Sequence, residues 1–147
     1  MTTIGKVARR QQADADRARQ KAQRQRAKDE AEIDRLIETT GWAVCVADSS
    51  NPADPAPHFA YTIGRTLKGQ PELCTWVHDR ADGATVLNLA GGILERDQHL
   101  VEPGEMLAVP GVGVWTTVAV PHHLFAHLEY ARARYTFLRA VLLRRVR

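Results

Sequence analysis

Hydrophobic and polar positions divide the chain into two unlike parts. From about Val7 to Glu38 it is built largely from Arg, Gln, Ala, Lys, Glu and Asp, with no Gly or Pro. All of these but Asp favour helix. The spacing predicts one long helix, stopped by Thr39-Thr40-Gly41, where Gly41 suits the left-handed position after a helix end. At roughly 100° per residue, Ile4, Val7, Ala8, Ala15, Ala18, Ala22, Ile33, Leu36 and Ile37 gather on one face, broken by Gln11, Arg26 and Asp29. The last turn, with Ile33, Leu36 and Ile37, is expected to anchor the helix. Heptad positions 15, 22, 29 and 36 read Ala, Ala, Asp, Leu, a poor seam for a coiled coil.

Beyond Gly41 the pattern alternates between short apolar runs and turns. Strands are predicted at Trp42–Ala47, His58–Ile63 and Glu72–Val77, the first two separated by a loop with three prolines in Asp48–Pro57. Val86, Leu89 and Ile93 give Thr85–Arg96 helical spacing, weakened by Gly91-Gly92. Met106–Val109 and Val114–Val120 read as strands pairing around Pro110-Gly-Val-Gly113. Pro121 opens a further helix, His122–Tyr135, with Leu124, Leu128, Ala131 and Tyr135 on one side. Periodicity leaves Leu138–Leu143 as either its continuation or a last strand. The expectation is an α+β fold: a helical arm at residues 1–40, then one small domain at 41–147 with a mixed or antiparallel sheet and two packing helices. A body of this size buries about two-thirds of its chain surface, enough for one core.

Several blocks together resemble a known family. Gly41-Trp42, His58-Phe-Ala-Tyr-Thr-Ile-Gly64, Pro71-Glu72-Leu73, Leu87-Asn88, Pro103-Gly104 and Tyr130-Ala-Arg-Ala-Arg-Tyr135 follow one another as in the bacterial and phage domain of unknown function 4262 family. The resemblance covers about residues 41–143. It implies an α+β domain in which Leu138–Leu143 is the closing strand, and it brings no established activity. The arm lies outside it.

Charge changes the picture. Residues 1–40 hold ten Lys/Arg against seven Asp/Glu, residues 41–127 four against nine, and residues 128–147 six against one. The formal +3 conceals an acidic centre between two basic ends. Lys6, Arg10, Arg17, Lys21, Arg24, Lys28 and Arg35 fall within a stripe about 60° wide on the arm. Like charges so spaced repel by about a few tenths of a kcal/mol per pair, a penalty that a phosphate-bearing partner converts into attraction. Arg144, Arg145 and Arg147 add a second basic cluster. The arm's apolar face is mostly Ala and has no aromatic, a poor fit to a bilayer. There is no run of about 18 apolar residues and no secretory h-region, so no membrane partner and a cytoplasmic setting are expected.

Candidate chemistry is sparse. His58, Tyr61, Thr62, Glu72 and Asn88 are the polar residues in or beside the family-like blocks, and they are the candidates for a cleft holding a small polar ligand. The same residues also suit plain strand and capping roles. His123 and His127 stand four apart, but position 124 is Leu, so no HExxH set exists. Cys45 and Cys74 lie 29 apart, which is neither a metal knuckle nor a disulfide framework, and as nucleophiles they have no base fixed by spacing beyond His58 or His78. Ser49 and Ser50 lack a nucleophile elbow, and Gly111-Val-Gly113 lacks the third glycine of a dinucleotide loop. No catalytic set, metal or cofactor is assigned. The expected function is a non-enzymatic module docking its basic arm on an anionic partner: RNA, DNA or a ribonucleoprotein surface. The alternatives are a protein-binding regulator of the phage or mobile-element kind, its stripe on an acidic protein surface, and a small-molecule enzyme using the Tyr61/Glu72/Asn88 region. The oligomeric state is left open.

Overall fold

The structure, a computed structural model, describes residues 3–48, 53, 56–135 and 138–146. It divides into two compact units, Met1–Arg35 and Leu36–Arg147. The predicted arm is a single helix, α1 (Thr3–Thr40), longer at both ends than its composition suggested. It closes on Gly41, whose N–H donates to the Ile37 carbonyl at 2.9 Å and whose φ is +94°.

The second unit is α+β. Its elements are β1 (Ala43–Asp48), β2 (His58–Ile63), a 3₁₀ turn at Arg65–Lys68, β3 (Glu72–Val77), α2 (Arg80–Arg96), β4 (Met106–Val109), β5 (Gly113–Ala119), a 3₁₀ segment at His122–His127, α3 (Glu129–Arg134) and β6 (Ala140–Arg145). They build one six-stranded sheet in the order β1-β2-β3-β6-β5-β4. All pairs are antiparallel except β3 with β6, where Leu73 lies opposite Val141. The closing strand implied by the family resemblance is therefore present, two residues later than expected and inserted in the middle of the sheet. Helix α2 covers one face, burying Val86, Leu87, Ala90 and Leu94 against Leu73, Trp115, Val141 and Leu143.

Two helices differ from expectation. α2 begins at Arg80, not Thr85, because Asp79 caps it: its carboxylate accepts from the Ala81 N–H at 2.8 Å. Leu89, expected inward, is 43% exposed; beyond Val86 the buried stripe runs one position later, through Ala90 and Leu94. The predicted helix His122–Tyr135 is broken at Leu128, where ψ is 37°, into the 3₁₀ segment and the short α3.

Glycines mark the closest approaches. Gly64 sits at φ +119°, and a side chain there would meet the Gly41 carbonyl at 2.8 Å. Gly91 and Gly92, read above as a weakness in α2, have opposite surroundings. A Cβ on Gly91 would stand 2.9 Å from the Trp42 ring and 3.3 Å from Arg65 Nη1, whereas Gly92 has open space. Gly91→Ala is therefore expected to cost about 1–3 kcal/mol by overpacking. Gly92→Ala is expected to gain about 0.5–1 kcal/mol from helix propensity. Thermal unfolding of the two variants should move the midpoint in opposite directions.

Candidate functional site

The five candidate cleft residues do not line one cleft. Thr62 and Glu72 meet where β2 turns into β3. Glu72 is fully buried. Its Oε1 accepts from Thr62 Oγ1 at 2.9 Å and from the Arg65 N–H at 3.1 Å. Its Oε2 accepts from the Thr66 N–H at 2.7 Å and from the Thr66 hydroxyl. The same Thr62 hydroxyl accepts from the Leu73 N–H at 2.9 Å. Four donors converge on one carboxylate and close the turn Gly64–Pro71 around it. Burial pushes the Glu72 carboxyl above the ordinary range, and the hydrogen bonds oppose that rise.

Asn88 lies on the exposed side of α2, where its Oδ1 accepts from Trp42 Nε1 at 3.0 Å. Tyr61 is next to Thr62 in a strand and so faces the other side of the sheet. There its hydroxyl accepts from the Tyr130 N–H at 3.4 Å, and burial pushes its pKa up. His58 is four residues from Thr62, about 13 Å along the strand. Its Nδ1 lies 2.7 Å from Asp48 Oδ1, which Arg80 Nη1 also approaches at 2.9 Å.

A residue outside the sequence candidates completes this cluster around Glu72. Arg65 is 1% exposed. Its Nε donates to the Pro71 carbonyl at 3.1 Å and its Nη1 to the Gly91 carbonyl at 3.4 Å, with the guanidinium 5.7 Å from the Trp42 ring centre. Burial pulls its pKa down. Among the described residues Nη2 has no acceptor. Nothing in the sequence distinguishes Arg65 from a surface arginine except its place after the Phe-Ala-Tyr-Thr-Ile-Gly block. The arrangement holds β2, β3 and α2 together.

The histidine and cysteine readings are likewise resolved into packing. In the 3₁₀ segment His123 and His127 are about 120° apart around the axis rather than the 40° of an α-helix, and His127 lies 5.5 Å from Phe59 and 5.9 Å from Trp76, centre to centre. Cys74 is fully buried, its Sγ 3.3 Å from the Val141 carbonyl, and burial drives the thiol pKa up, away from the reactive thiolate. Ser49 and Ser50 lie outside the described residues.

The arm's basic stripe is built as the spacing implies. Arg17, Gln20, Lys21, Arg24, Gln25 and Lys28 line one shallow groove along α1. Two cations of the stripe are paired along the helix, Arg35 with Glu32 through contacts of 2.6 and 2.9 Å and Arg17 with Asp14 at 3.7 Å, while Asp16 and Asp29 accept from Gln12 and Gln25. Lys6, Arg10, Lys21, Arg24 and Lys28 have no carboxylate within 4 Å among the described residues. Arg144 and Arg145 are exposed at the end of β6, and Arg147 lies outside the described residues. No helix is long and apolar enough to cross a membrane.

A six-stranded mixed sheet with one parallel pair at its centre, helix-backed on one face, defines a small α+β domain. A family model described as "Domain of unknown function (DUF4262)" matches residues 36–144, and the chain belongs to that family. The match begins where the second compact unit begins. No curated protein and no solved structure matches the chain.

Removing the Glu72 acceptor orphans two buried backbone N–H groups, each costing about 1–3 kcal/mol. Glu72→Ala should therefore lower the unfolding free energy by about 2–6 kcal/mol in a denaturant titration. Glu72→Gln is expected to cost less, since its amide nitrogen replaces only one acceptor. A carboxyl whose folded pKa is raised stabilises most below its unfolded value, about 4.3, and loses that share as pH rises through the folded value. The Glu72→Gln deficit should therefore be largest in acid and shrink toward neutral pH.

Proposed function

We propose that this protein is a non-enzymatic module that docks its helical arm on the phosphates of a nucleic acid. One observation carries this reading: among the described residues, Lys6, Arg10, Lys21, Arg24 and Lys28 of one helical stripe stand without a carboxylate within 4 Å, and only Arg17 and Arg35 of that stripe are paired with acids of the helix. Exposed like charges along one face cost free energy in isolation. A phosphate backbone removes that cost and releases its counterions. The second unit supplies no convergent catalytic set among its described residues, so the chemistry that is accessible to a partner is electrostatic. Contacts to phosphate position a protein on nucleic acid without reading its sequence.

The five free cations predict that log affinity falls against log salt with a slope of about −4, shallower than the −5 to −6 of a seven-contact stripe. Lys21→Gln/Arg24→Gln/Lys28→Gln should reduce the slope by about 2 to 3 and weaken binding uniformly across sequences. Anisotropy of labelled RNA and DNA in a salt series, on the full chain and the triple variant, measures both. Binding to an acidic protein but to no nucleic acid at low salt, or equal slopes for the two chains, contradicts the proposal.

A further inference from the structure

The sheet has two unlike faces. α2 covers one. On the other, Met106 lies opposite Thr116 and Thr116 opposite Arg144, so these three share a row. One step beyond the paired Thr75 and Leu143 stand Trp76 and Arg144, and Trp76 lies opposite Phe59. Met106 is 67% exposed, Ala108 and Arg144 are exposed, and Val114 and Thr116 are half-buried. This region is an open surface of apolar groups with an arginine. By strand alternation no acidic side chain stands on this face of β4, β5 and β6.

Trp76 borders that surface. The indole rests on Phe59 with ring centres 4.8 Å apart and takes the His127 ring edge-on. Trp42 and Trp115 are buried, at 8% and 4% exposure, whereas Trp76 is only half-buried. A braced, partly exposed indole and an exposed arginine, each one register step beyond the Thr75 and Leu143 pair, next to a face of β4, β5 and β6 that carries no acidic side chain, match what unpaired nucleotides require. The base stacks on the aromatic, and the phosphate pairs with the cation. A second copy of the chain fits less well, because a face-to-face pair would bring two Arg144 side chains into an interface with no acid to receive them.

We infer that the open face around Trp76, Thr116 and Arg144 binds single-stranded nucleic acid, with a base on Trp76 and its phosphate on Arg144. The inference rests on the nucleic-acid reading above and adds to it the strandedness of the ligand and a second point of contact.

The test titrates the full chain with a labelled twelve-nucleotide oligothymidylate and, in parallel, with inorganic polyphosphate, reading tryptophan emission and binding. The oligonucleotide should quench Trp76 emission, and polyphosphate should bind without quenching. Trp76→Phe should retain affinity and lose the quenching. Trp76→Leu and Arg144→Glu should each weaken oligothymidylate about tenfold and spare polyphosphate. Arg144 is exposed, so that variant decides even where Trp76→Leu fails to fold. Oligonucleotide binding with unchanged emission and unchanged affinity in these variants overturns this face and leaves the arm reading standing. Failure of both polyanions to bind overturns the arm reading and this inference together. Concentration-dependent dimerisation that shields Trp76 overturns the face alone.

Discussion

A carboxylate removed from water must find donors, and the body of this protein is arranged around the ones Glu72 finds. Two backbone N–H groups and two threonine hydroxyls converge on it, which sets the path of the chain from Gly64 to Pro71. That path places Arg65 inside, where its guanidinium reaches the Gly91 carbonyl of α2 and lies over Trp42. One buried anion thus fixes the turn between β2 and β3, and one buried cation ties that turn to the helix. The two charges solvate themselves with neutral groups instead of each other. Such an arrangement specifies geometry strongly, because every donor left over would be an uncompensated buried group.

This explains which parts of the structure were legible in the sequence. β2, β3 and β4 have the predicted bounds, because each apolar-rich run stops at a glycine, a proline or a polar pair. The arm was legible from composition and period alone. The turn chemistry was not: Thr62, Thr66 and Glu72 are spaced without a helical or strand period, and only the fold brings them together. Tyr61 and Thr62 share the Phe-Ala-Tyr-Thr-Ile-Gly block as its polar residues, although strand alternation sends them to opposite faces. The break at Leu128 was hidden because Leu124, Leu128 and Ala131 satisfy a helical period, and a 3₁₀ segment buries Leu124 and Leu128 equally well. The Trp76–Phe59–His127 stack joins residues from β2, β3 and the 3₁₀ segment, so no local pattern could announce it.

The same contrast separates the two units by kind. In the body the Glu72 carboxylate is buried and answered by four donors. On the arm the polar groups are exposed, and along one stripe five cations have no carboxylate within 4 Å among the described residues. Interior polarity of the first kind serves folding; surface polarity of the second kind is available to a partner, and its sign selects an anion. The family match begins at residue 36, where the second unit begins, so the basic stripe lies outside the matched domain.

Amide hydrogen exchange along α1, with and without a saturating oligonucleotide, tests the central claim most directly. A long helix whose residues are mostly exposed and polar opens readily. If phosphates lie along the stripe, exchange should slow across Arg17–Lys28 on adding the oligonucleotide, and the slowing should fade as salt is raised. Unchanged exchange over that segment with the oligonucleotide bound would contradict the account.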